Sequence, residues 1–83
     1  MENNLSREEI LKTSLDAREQ EVMHYQINID NYTLALAEME SMSPDDRAEL
    51  SAFSEQLRNL LASEKLEQKK AKIMLAVIKK QME

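Results

Sequence analysis

The chain contains no cysteine, no glycine and no tryptophan, and only one proline among its 83 residues. Lacking cysteine, it has neither a disulfide framework nor thiolate zinc or iron–sulfur sites, and it suits a reducing compartment, so a cytoplasmic address is expected. Without glycine there are no phosphate-cradling loops and little of the turn chemistry that strands require. Aromatic residues make up 4% of the chain, which leaves too little bulk for a large enclosed active site. Long apolar runs are missing as well. The longest is Ile73 to Ile78, far short of the ~20 residues that cross a bilayer. The opening Met1-Glu2-Asn3-Asn4 has neither the basic nor the apolar region of a secretory leader.

What remains is rich in helix formers, with 42% apolar and 33% charged residues. The length fits one small all-α domain without internal repeats. A net charge of −5 disfavours general nucleic-acid binding and leaves room only for a local basic surface.

Ser6-Arg7-Glu8-Glu9 is a capping box, so a helix is expected to begin there. Ser43-Pro44 is the next boundary, because proline drives its predecessor out of helical geometry and suits the first helical position itself. Asp45 and Asp46 then lie in the positive first turn. The expected elements are helix 1 over about 7–41, a turn at 42–43 and helix 2 over about 44–81, each roughly 50 Å long.

In helix 1, Leu11, Leu15, Val22, Tyr25, Ile29, Tyr32, Leu36 and Met39 recur at alternating three- and four-residue steps, interrupted by Arg18. In helix 2, Leu50, Phe53, Leu57 and Leu60 extend the pattern, Glu64 and Glu67 break it, and Ala71, Met74 and Ile78 resume it. A loop this short joins antiparallel neighbours, so a coiled-coil-like helical hairpin pivoting on residue 43 is expected. That pivot sets Tyr25 near Leu61 and Leu11 near Leu75. It also sets Arg18 beside Glu64, Glu67 and Gln68, a polar layer that would fix register by penalising any slip. Charge agrees with folding back: residues 1–59 hold 5 basic and 13 acidic side chains, and residues 60–83 hold 6 and 3.

Each helix of a hairpin buries one stripe, yet Ile10, Met23, Ile27 and Leu34 in helix 1, and Leu61, Leu66, Ile73, Leu75 and Val77 in helix 2, lie off the expected seam. Uncovered apolar patches of that kind call for a partner. Homodimerisation into a four-helix bundle is the leading expectation, with Ile10, Leu11, Met23, Ile27, Leu34, Leu66, Ile73, Leu75, Val77 and Ile78 as interface residues. The open end, where Leu5 joins Ile10, Leu11, Leu75, Val77, Ile78 and Met82 beside lysines, is the expected working surface.

Two chemical features compete with a purely structural role. Glu21-Val22-Met23-His24 is a Glu-x-x-His element, and with Glu64 a dimer would hold ligands in the number found in ferritin-like bundles. However, Val22 and Tyr25 occupy the seam and rotate Glu21 and His24 to its edges, so a solvated or interface histidine is the expected state. Lys65, Lys69, Lys72 and Lys79 form a basic stripe able to contact a polyanion. It lacks arginine for bidentate readout and aromatics for base stacking, and lysines near a helix C-terminus also complement the macrodipole. A solvated face is the simpler reading, and the accompanying glutamates argue against a membrane surface. Tyr25 and Tyr32 fit the seam, while the methionines suit gap filling or an adaptable binding surface. No nucleophile–base arrangement is present. The expectation is a non-enzymatic, cofactor-free protein-binding or regulatory factor, in the style of small bacterial or phage accessory proteins.

Overall fold

A computed structural model describes residues 6–83, so Leu5 and the start of the chain lie outside the described residues. The fold is all-α: α1 spans Arg7–Glu40, α2 Pro44–Glu49 and α3 Ser51–Met82. Both anticipated caps are formed. The Ser6 hydroxyl accepts from the Glu9 amide at 3.1 Å, and the Ser6 amide donates to Glu9 Oε1 at 3.2 Å. The Ser6 amide bonded to the Glu9 carboxylate, with the Ser6 hydroxyl beside it, favours the ionised form and holds the Glu9 carboxyl below its ordinary range. At the corner, the Ser43 hydroxyl accepts from the Asp46 amide at 3.2 Å, with Pro44 opening α2. Asp45 and Asp46 occupy its first turn.

The long helices, of 34 and 32 residues, run antiparallel: Arg7 near the start of α1 donates to Gln81 near the end of α3 at 3.0 Å. They form a slender body of 66 × 26 × 16 Å. A thickness this small leaves only one stripe per helix to be covered. On α1 the covered or half-covered positions include Leu11, Leu15, Arg18, Val22, Tyr25, Ile29, Tyr32, Leu36 and Met39, the expected seam.

The second helix departs from expectation in three respects. First, it is interrupted at Leu50, where φ −99° and ψ 13° separate α2 from α3. The corner therefore includes the whole of α2 and is longer than a two-residue turn. Second, the bonds from Gln68 to Val22 and Gln26 and from Arg7 to Gln81 pivot on residues within α2, C-terminal to the expected residue 43.

Third, the seam of α3 uses Leu50, Ser54, Leu57, Leu61, Glu64, Gln68, Ala71, Leu75 and Ile78. Leu50, Leu57, Glu64, Ala71 and Ile78 belong to both the expected and the observed series. The position between them moves by one residue, which puts Leu61 and Leu75 inside and leaves Phe53, Leu60 and Met74 exposed. At Leu60-Leu61 and Met74-Leu75 adjacent apolar residues satisfy a three-residue and a four-residue step equally well, whereas at Phe53-Ser54 the same shift puts the smaller polar residue inside.

Candidate interaction surface

The buried centre of the helix pair is partly polar. Gln68, 8% exposed, donates from Nε2 to the Val22 carbonyl at 3.2 Å and to Gln26 Oε1 at 2.9 Å. Gln26 Nε2 in turn donates to Asp30 at 2.9 Å. This amide relay is the side-chain bridge at the middle of the pair. Sequence reasoning placed Gln68 at the polar break but did not single out Gln26. A glutamine at a seam position flanked by Leu61 and Leu75 is the signal that marks the site.

The anticipated layer of Arg18 with Glu64 and Glu67 is arranged differently. Arg18 pairs with Glu21 on its own helix at 3.0 Å, and Glu67 pairs with Lys70 on its own helix at 3.0 Å. Arg18, Glu21, Tyr25, Glu67, Lys70, Ala71 and Met74 line one shallow groove, so Glu67 is a neighbour of Arg18 while the charges close within each helix. Glu64 sits further toward the corner because of the displaced pivot. Its Oε2 is buried and accepts no hydrogen bond among the described residues.

Glu21, His24 and Glu64 do not converge within one copy. Glu21 is held by Arg18, His24 is exposed with its ring edge-on to Tyr25 at 6.4 Å, and Glu64 is in the seam. Among the described residues no group of three or more histidine, cysteine, aspartate or glutamate side chains could hold a metal ion. Lys65, Lys69, Lys72 and Lys79 are all exposed. Lys65, Lys72 and Lys79 continue a column one heptad apart that begins at Arg58, and Lys69 lies beside it. Acidic α1 borders this column, since Glu19 and Lys72 share a groove with Val22, Met23, Gln26, Gln68 and Leu75.

The expected interface residues separate into two groups. Ile78, 7% exposed, is core of the helix pair, and Leu11 and Leu75 are half-buried in it. Ile10, Met23, Ile27, Leu34, Leu66, Ile73 and Val77 stay exposed, with Leu34 at 64% and Ile73 at 63%. On α1, Met23, Ile27 and Leu34 fall on the side away from the seam. On α3, Phe53, Leu60 and Met74 fall along one flank and merge with Leu66, Ile73 and Val77 behind it. The opposite flank of α3 carries the basic column, so this helix is apolar on one side and cationic on the other. No described helix is long and apolar enough to cross a membrane. No protein-family model, curated protein or solved structure matches this chain.

Proposed function

We propose that the protein is a non-enzymatic, protein-binding accessory factor that works as a homodimer, two helical hairpins packing into a four-helix bundle. The observation that carries this reading is the apolar surface left in water on both long helices, above all Ile73, Leu66 and Leu34. Apolar contacts of this extent favour association, and small helical domains gain needed stability from it. A single antiparallel pair has little core of its own, with Ile29, Met39, Leu57, Ala71 and Ile78 as its buried apolar residues. A cytoplasmic setting and a bacterial or phage source belong to the same proposal, and a chain without cysteine is compatible with a reducing compartment. Ile73→Asp is the direct test, because residue 73 is exposed and its replacement leaves the seam intact. The variant should keep its helical circular dichroism and sediment as a monomer; a helical dimer would refute the assignment. Leu75→Asp is a poorer probe, since Leu75 also packs within the pair.

A second reading, polyanion binding, draws on the alignment of Arg58, Lys65, Lys72 and Lys79 along one flank of α3. Such binding would weaken steeply with salt and be abolished by Lys65→Glu with Lys72→Glu. Absent or salt-insensitive binding eliminates it.

A further inference from the structure

The two outward faces of the hairpin match each other. On the side of α1 away from the seam, Met23, Ile27, Asp30, Leu34 and Ala37 follow in steps of four, three, four and three residues, and all are exposed. Read backward along the outer side of α3, Val77, Ile73, Lys70, Leu66 and Ser63 follow in the same steps and are exposed as well. Within one copy the seam lies between these faces, so neither can cover the other. We infer that the outer face of α3 seats the outer face of α1 from a second copy, antiparallel, with Ile73 on Ile27 and Leu66 on Leu34. The inference rests on the self-association proposed above and specifies which helices meet.

Alternating steps of three and four residues keep a helix seam facing its partner, and two seams with matching steps meet layer by layer. Here Met23 meets Val77, Ile27 meets Ile73 and Leu34 meets Leu66, three apolar pairs drawn from exposed side chains. Between the second and third of them Asp30 meets Lys70, opposite charges that are each bonded only on their own helix, to Gln26 and Glu67. The small residues Ala37 and Ser63 close the end. Sliding by one heptad leaves a single apolar pair, Ile27 with Leu66 in one direction and Leu34 with Ile73 in the other, and sets Lys70 against Met23 or Ala37. A foreign helix could cover either face, but the match in steps, apolar layers and charge is between two parts of this chain, which selects a second copy. Gln68 bonds to Val22 of its own copy and would stand level with Tyr32 of the second, so the copies are staggered by roughly 15 Å along their length. The stagger makes the contact one-way. Two joined copies keep one α1 face and one α3 face free, where further copies can add at higher concentration.

The chain has no native cysteine, so short-range crosslinking of the full-length protein reads the geometry directly. Helices in contact pack with axes ~8–10 Å apart, within reach of a short bis-maleimide. Ala37→Cys and Ser63→Cys, both at exposed positions, should each stay uncrosslinked alone, while their equimolar mixture should give the mixed covalent dimer. A chain carrying both substitutions should give a ladder of dimers, trimers and longer products. Light scattering on each variant before crosslinking reports whether it associates. If the variants associate but the mixture fails to crosslink, or if either single variant crosslinks to itself, the contact between α3 and α1 is overturned and self-association stands. A double variant that stops at covalent dimers overturns the staggered, one-way arrangement. If the unmodified chain and the variants are all monomeric, both the contact and the homodimer reading fall.

Discussion

Gln68 holds the middle of the helix pair through its bonds to the Val22 carbonyl and Gln26, and Gln26 is itself held by its bond to Asp30. Removing the donor leaves two acceptors partly buried, so Gln68→Ala should cost about 1–2 kcal/mol, seen as a lowered thermal midpoint. Glu64, four residues earlier on the same seam, presents the opposite case. Its Oε2 is buried without a hydrogen-bond partner among the described residues, so that oxygen of a half-buried carboxylate carries a desolvation cost that none of them offsets. Glu64→Leu should therefore stabilise by about 1 kcal/mol or more. A midpoint that rises for Gln68→Ala, or falls for Glu64→Leu, would contradict this division of roles. Arg18 was visible in the sequence as a charge interrupting the seam, but its partner was not. A guanidinium reaches a carboxylate one helical turn away as readily as one across an interface, and Glu21 was available. Which carboxylate wins depends on the exact register, to which the sequence is indifferent at this level.

Among the elements, α1 was legible almost to the residue because its start has a capping box and its seam, Arg18 apart, offers no step with two large apolar residues to choose between. The two helices from Pro44 onward were legible as helix, but the register of α3 was not. Leu60-Leu61 and Met74-Leu75 offer adjacent apolar residues, and the packing chose Leu61 and Leu75. Leu50 likewise carries no breaking residue, so the separation of α2 from α3 had no local signal. The seam assignment is testable in an Ile73→Asp background, where association does not obscure the result. There Leu61→Ala should cost about 2 kcal/mol or more, the expectation for a packed leucine, while Leu60→Ala should cost less than about 1 kcal/mol. Equal costs, or the reverse order, would restore the alternative three-residue step.

For the whole molecule, the decisive feature is a long, thin shape with apolar residues on its outside. A body 16 Å thick has one layer of contact between its helices, and Ile27, Leu34, Leu66 and Ile73 cannot reach that layer from where they stand. The need for a partner was legible in the sequence as apolar residues in excess of one stripe per helix. Which of them stay exposed was not, because it depended on the displaced seam: Leu61 and Leu75 went to the pair, and Phe53, Leu60 and Met74 came out of it, while Leu11 and Ile78 kept their seam places. Homodimerisation is the central claim, and absolute mass by light scattering across a dilution series, with circular dichroism on the same fractions, tests it most directly. The prediction is a strongly helical species of twice the 9.6 kDa chain mass that persists on dilution. A helical monomer at every concentration would contradict it.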